Sequence, residues 1–390
     1  MAKLILKTDR ERSIKNFHPW IFSGAIARIE GTPGAGEVID VHAANDTFLA
    51  RGFYCPSSQI RCRLLTWKPE SIDRDFFVRT ITAAHLLRRQ HISSDTDSYR
   101  VVNAEGDGLP GLIVDRYADV AVMQCNTIGM ELRKHELAEI LMTDLGMSGV
   151  WERSQGAARR EEELQPSAGV LRGNVPEGVI AIRENGFQFE ADIREGQKTG
   201  FFLDQRENRQ WVKNLSSGKK VLNCFSYTGA FSVYAASGDA ARVVSVESSS
   251  PALEQAKRHM QINRLSSTDD DFILADVFAF LRATRQPYDF IILDPPAFAH
   301  HQREVDAAAR AYKDVNLQAL KRLAPGGLLL SCSCSQPVSP DLFQKIIFAA
   351  ASDAKRRVRI IGQRGHAVDH PISIFHPEGR YLQAWLLSVE

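Results

Sequence analysis

The chain has 390 residues, with 48 Lys and Arg against 47 Asp and Glu, and 44% of its residues are hydrophobic. That length exceeds one ordinary compact domain, so two or three are expected, and the balanced composition excludes long disorder, a collagen-like repeat and a disulfide scaffold. The opening run MAKLILKTDRERS carries charge where a signal peptide needs an apolar core, and no stretch approaches the ~20 apolar residues of a membrane span, so a cytoplasmic protein without membrane attachment is expected.

The first segment, 1–75, reads as short strands cut by turns. Gly31, Pro33, Gly34 and Gly36 precede Glu37–Val41, and Asn45-Asp46 precede Phe48–Tyr54, the pattern of a small β-barrel. In Ile60–Leu65 the alternation puts Ile60, Cys62 and Leu64 on one side and Arg61 with Arg63 on the other, a basic stripe that is either a solvated face or a phosphate contact. The middle segment, 76–190, opens with an amphipathic helix over 76–90. A Gly-rich turn at Glu105–Gly111 follows, then strands at 112–115 and 120–125, a helix over 131–145, and strands again, an α+β pattern. Net charge runs +3 over 1–80, −6 over 81–190 and +4 over 191–390, so a polyanion would meet the ends of the chain more readily than its middle.

From 191 to 390 the pattern becomes regular alternation. Strands at 220–225, 242–247, 272–276, 289–294 and 328–333 are separated by helices from 230, over 251–264, 277–284 and 306–323, which describes a doubly wound Rossmann-like sheet. Two more strand-like runs, 357–361 and 381–387, have no helix-length pattern between them and should pair antiparallel at one sheet edge.

In such sheets ligands bind beyond the carboxyl ends of the strands. The first strand is followed by Phe225-Ser-Tyr-Thr-Gly229, with one glycine where a pyrophosphate would want three. Glu247 ends the second strand, placed to accept hydrogen bonds from both hydroxyls of a ribose, and Asp276 ends the third, within reach of an adenine amino group. Each carboxylate alone reads equally well as a helix cap. Together with a loop lacking pyrophosphate glycines they describe S-adenosylmethionine. Asp294-Pro-Pro-Ala-Phe298 adds a rigid acidic loop after the fourth strand, able to hold a planar base. The fifth strand ends in Ser331-Cys-Ser-Cys-Ser335, where period two sets Cys332 and Cys334 on one face; Cys332 reads as core, Cys334 as a thiol at the pocket. A metal site from Cys332, Cys334, His300 and His301 fails the usual spacing rules, and no metal is expected.

These runs, with Gln197-Lys-Thr-Gly-Phe-Phe-Leu-Asp-Gln-Arg206, Asn223–Gly229, His18–Gly24, Phe48–Gly52 and Glu105–Gly111, resemble the bacterial large-subunit ribosomal RNA cytosine-5 methyltransferases built from a PUA domain, an EEHEE domain and a class I methyltransferase domain. The resemblance covers nearly the whole chain. It implies that Asn223, Phe225, Ser226, Thr228, Gly229, Glu247 and Asp276 hold S-adenosylmethionine, and that Lys198, Asp204 and Arg206 close over its methionine end. Cys334 would be the nucleophile. Asp294 would serve both cofactor and target base, and Pro295, Pro296 and Phe298 would meet the RNA, as would Arg61 and Arg63 in the PUA-like module. Pro296 stands where other RNA cytosine-5 methyltransferases have a second Cys, so the base that removes the C5 proton is unassigned. The implied substrate is 23S rRNA before full assembly of the subunit. Two other functions stay open: an N-methyltransferase using the Asp294–Phe298 loop without a thiol, and a non-catalytic RNA-binding assembly factor.

Overall fold

The computed structural model describes residues 2–390 and divides the chain into two compact units. One holds the chain up to Gly186 together with Glu190–Leu203 and Val368–Gly379; the other holds Phe187–Phe189, Asp204–Ala367 and Arg380–Glu390.

The first unit begins with a six-stranded sheet in the order Trp20–Phe22, Ile60–Thr66, Phe48–Tyr54, Val38–His42, Lys3–Leu6, Ile26–Glu30. Alternate residues such as Leu4 and Leu6, Ile39 and Val41, Cys62 and Leu64 make its core. The helix Arg74–His91 follows, its first turn capped by Asp73, whose side chain accepts from Phe76 N at 3.1 Å. A five-stranded sheet then runs Ser167–Gly173, Gly149–Ser154, Val120–Cys125, Leu112–Tyr117, Tyr99–Asn103. Its helix Lys134–Thr143 links two parallel strands, the crossover that parallel pairing requires. The strands-helix-strands order read for the middle segment is therefore observed.

Residues 368–379 join this unit through buried charge. Arg88 places two nitrogens on the two oxygens of Asp107, each at 2.6 Å, and donates to Asp369 O at 2.9 Å. Asp369 in turn accepts from Arg100 N at 2.8 Å, and the Arg100 guanidinium forks onto Asp115 at 2.8 and 2.9 Å. No local periodicity marks such long-range pairs, so the sequence-based boundary at 190 assigns 191–203 and 368–379 to the other unit.

The second unit is a seven-stranded sheet in the order Phe272–Leu274, Arg242–Glu247, Lys220–Cys224, Tyr288–Leu293, Leu323–Ser333, Gln383–Val389, Val358–Arg364. The first five strands are parallel, and Gln383–Val389 pairs antiparallel with both Leu323–Ser333 and Val358–Arg364, so the two terminal runs pair antiparallel as expected. Adjacent residues of one strand face opposite cores: Leu222, Ile291 and Leu329 one way, Val221, Phe290, Ile292, Leu330 and Cys332 the other. Helices Arg206–Leu215 and Pro340–Ala354 are present beside the expected ones. The strand order reverses between Lys220–Cys224 and Tyr288–Leu293, so the crevice lies where the loops after Cys224 and Leu293 begin. Among the described residues no helix is long and apolar enough to cross a membrane, and no cluster of three His, Cys, Asp or Glu side chains could hold a metal ion.

Candidate active site

After Cys224 the chain turns through three left-handed residues, Phe225 (φ 58°), Tyr227 (φ 47°) and Gly229 (φ 75°). Two of them carry side chains, at a cost of roughly 1–2 kcal/mol each. The surroundings hold them there: Tyr227 N donates to Glu247 Oε2 at 2.9 Å, Ser226 N to Val246 O at 3.1 Å, and buried His259 Nδ1 contacts Thr228 O at 2.7 Å. Strain maintained this way belongs to sites where the backbone shape is itself used. Asn223 Nδ2 donates to Ser232 Oγ at 2.9 Å, whereas Asn223 Oδ1, Ser226 Oγ and Thr228 Oγ1 are buried without a hydrogen-bond partner. Three such atoms in one loop fit a polar ligand that supplies the missing partners.

Gly229 has a packing task of its own. A Cβ there would lie 2.7 Å from Ala256 Cβ, and its N–H already donates to Ser226 O at 2.8 Å. The glycine serves the left-handed turn and the packing of helix Ala230–Ser237 on Ser250–Ile262. Gly229→Ala should lower stability by about 2 kcal/mol or more in urea unfolding, from strain plus overpacking. An unchanged midpoint would contradict this.

Glu247 is oriented by backbone: besides Tyr227 N, its Oε1 accepts from Ser248 N at 2.8 Å and Ser249 N at 3.0 Å. Asp276 is the cap of helix Val277–Ala283, with Oδ1 accepting from Ala279 N at 2.8 Å, which leaves Oδ2 to a ligand. Asp294 Oδ1 accepts from Gln205 Nε2 at 2.9 Å, and Gln205 Oε1 accepts from Asn208 Nδ2 at 2.6 Å. Gln205 and Asn208 are both buried and polar; Gln205 lies within the run Gln197–Arg206 without a role of its own there, and Asn208 lies outside it. Their signal is a helix, Arg206–Leu215, that buries Arg206, Asn208 and Arg209 beside Val212.

Cys332 is fully buried among apolar neighbours. Burial pushes its thiol well above the ordinary range, with the Asp294 charge adding to the effect. Among the described residues Cys334 is the one cysteine that is not buried, and its Sγ donates to Pro295 O at 3.6 Å. Ser335 fastens this strand end to the loop: its Oγ accepts from Ala299 N at 3.1 Å and bonds Tyr312 OH at 2.9 Å. Pro295 is buried, Pro296 exposed, and the Phe298 ring packs 4.7 Å from Tyr312. Cys334 and Asp294 thus flank one rigid turn.

Of the expected lid residues, Asp204 is buried and accepts from Tyr381 OH at 2.6 Å, and buried Arg206 starts its helix 3.3 Å from Glu207. Lys198 belongs to the first unit, its Nζ 4.6 Å from the Phe202 ring centre.

The basic stripe requires correction. Arg63 is 7% exposed, with Nε 2.8 Å from Glu162, Nη1 3.4 Å from Glu105, and its guanidinium 5.3 Å from the Trp20 ring centre. Both faces of strand Ile60–Thr66 are covered, so alternation there does not separate core from solvent. Arg61 is half-buried, its Nη1 without a hydrogen-bond partner.

Residues 125–358 match the model of the S-adenosylmethionine-dependent methyltransferases, and residues 4–67 match a PUA-like domain. Over its full length the chain is 42% identical to ribosomal RNA large subunit methyltransferase I of Serratia proteamaculans, covering 99% of that protein. It is 44% identical to the protein of that name from Photobacterium profundum, with both chains fully covered. The chain belongs to this methyltransferase family. A solved SAM-dependent methyltransferase structure from Streptococcus mutans shares the fold over both whole chains, with TM-score 0.83 at 24% identity. A second, a methyltransferase complexed with S-adenosylhomocysteine, does so with TM-score 0.85 at 24% identity. The cofactor is S-adenosylmethionine, and the partnerless polar atoms of Asn223, Ser226 and Thr228 fit it.

Proposed function

We propose that the protein methylates C5 of a cytosine in large-subunit (23S) ribosomal RNA, with Cys334 as covalent nucleophile. The observation carrying this reading is the half-buried Cys334 thiol at Pro295 O, on the turn that also presents Asp294. The names of its full-length relatives support ribosomal RNA as the substrate class.

The cofactor supplies a methyl group on an electrophilic sulfonium. Glu247 would hold the ribose hydroxyls and Asp276 the adenine amino group, Asn223, Ser226 and Thr228 would satisfy the remaining polar edges, and Asp204 and Arg206 would serve the methionine end. C5 of cytosine is a poor nucleophile. The Cys334 thiolate adds to C6, which moves the electron pair of the C5–C6 double bond onto C5, and Asp294 holds the proton at N3 that accompanies the addition. After methyl transfer the C5 proton leaves, the C6–S bond breaks, and the double bond and thiolate are restored. The target base must leave its stack, at a few kcal/mol, which favours rRNA that is exposed or incompletely assembled.

An N-methyltransferase would have no use for a thiol on this turn, and an inactive assembly factor would have none for strained, partnerless cofactor groups. Nucleoside mass spectrometry of 23S rRNA from cells with and without the protein tests the reading. Loss of 5-methylcytidine is expected; loss of an N-methylated base, or no change, contradicts it.

Glu247→Ala should weaken S-adenosylmethionine binding by about 1–3 kcal/mol in calorimetry, because a charge-assisted pair of ribose hydrogen bonds is lost. Unchanged affinity in the folded variant would reduce Glu247 to a backbone cap of Tyr227 and Ser249.

A further inference from the structure

The first unit contains a cavity of about 440 Å³ whose lining includes Phe17, Pro19, Leu64, Trp67, Glu105 and Phe375. Phe17 sits in the left-handed region, φ 63°, a strained position for a bulky side chain, and its ring stays 48% exposed, so packing does not repay the strain. That ring lies 5.6 Å from Trp67 and 5.2 Å from Phe375, itself 43% exposed. Trp67 is anchored by its edge, Nε1 donating to Ile14 O at 2.8 Å. The cavity is therefore walled by rings that are held in place yet left partly open.

One ionisable group faces them. Glu105 Oε1 is fixed by Trp20 Nε1 at 2.8 Å and Arg63 Nη1 at 3.4 Å, while Oε2 takes no hydrogen bond from any described residue. A carboxylate so held, in an aromatic cavity, suits a planar ligand that carries N–H donors on its edge. An apolar protein side chain would cover Glu105 Oε2 without giving it a donor. Around the rings the chain supplies exposed cations: Arg12 and Lys15 lie on the helix just before Phe17, and Lys68 follows Trp67.

We propose that this cavity receives an unstacked base of the substrate RNA, packed against the partly exposed Phe17 and Phe375 rings and the edge-on Trp67. The base donates from its Watson–Crick edge to Glu105, and its phosphates lie toward Arg12, Lys15 and Lys68. Guanine fits best, since it offers two adjacent N–H donors. Single-stranded RNA is commonly read in this way, by stacking plus edge hydrogen bonds. The proposal rests on the reading of ribosomal RNA as substrate and adds a contact with a base other than the one methylated.

The test is binding of deproteinised 23S rRNA, and of short single-stranded guanosine-containing RNA, to the full chain over a range of salt. Phe17→Asn suits a positive φ, and Phe375→Ala removes a half-exposed ring, so both variants should fold. Each should weaken RNA binding about tenfold with the salt slope unchanged, since stacking rather than phosphate contact is lost. Urea midpoints and S-adenosylmethionine affinity should match the parent. Ultraviolet cross-linking should join RNA to peptides containing Phe17 or Phe375. Wild-type affinity in both variants overturns the proposal. So does a loss of affinity that comes with a flatter salt slope, and so does unchanged RNA affinity with weaker co-sedimentation on ribosomal particles, which would mark a protein contact. A parent chain that binds no rRNA overturns the substrate reading as well.

Discussion

Cys334→Ala is expected to abolish methyl transfer, by about 10⁴-fold or more, while leaving S-adenosylmethionine affinity and folding unchanged. The thiol is half-buried at the strand's open end, with Sγ at Pro295 O, so its removal opens no fully enclosed core cavity. Cys332→Ala should retain activity and lose about 1–2 kcal/mol of stability, the cost of deleting a buried sulfur. A thiol raised so far by burial holds its proton at neutral pH and is a poor nucleophile. Single-turnover methylation of rRNA with each variant checks both statements. Activity in Cys334→Ala with none in Cys332→Ala would move the nucleophile one residue pair inward.

Arg63→Ala should destabilise the first unit by about 3–5 kcal/mol, because Glu162, whose side chain is 1% exposed, would lose the guanidinium that compensates its charge. Arg61→Ala should change stability little, since its buried Nη1 forms no hydrogen bond to be lost. Urea unfolding of the two single variants separates them. Full stability in Arg63→Ala, with weaker RNA binding and a flatter salt dependence, would restore Arg63 as a phosphate contact.

The contrast between these two sites shows what the residue pattern could and could not carry. The parallel sheet was legible because its strands are buried on both faces and its helices alternate with them, so apolar runs at 220–224, 242–247 and 288–293 stand out regardless of register. The thiol and the acidic turn were legible because each follows a strand directly. Arg63 was misread because alternation marks two faces without saying that both are covered. The helix Arg206–Leu215 escaped because the face it buries is polar; Pro340–Ala354 was overlooked despite Ser339 as cap and Pro340 at its first position. The Asn208–Gln205–Asp294 chain, and the union of residues 368–379 with the first unit, depend on pairs far apart in the chain, which local pattern does not encode.

The covalent step is tested most directly with rRNA that carries 5-fluorocytosine, incubated with the protein and S-adenosylmethionine and run on a denaturing gel. Fluorine at C5 cannot leave as a proton does, so the C6–S bond should persist as a protein–RNA band that resists denaturation. The band should form with the parent chain and with Cys332→Ala and be absent with Cys334→Ala. A band that persists in Cys334→Ala, or active parent protein that forms none, would contradict Cys334 as the nucleophile.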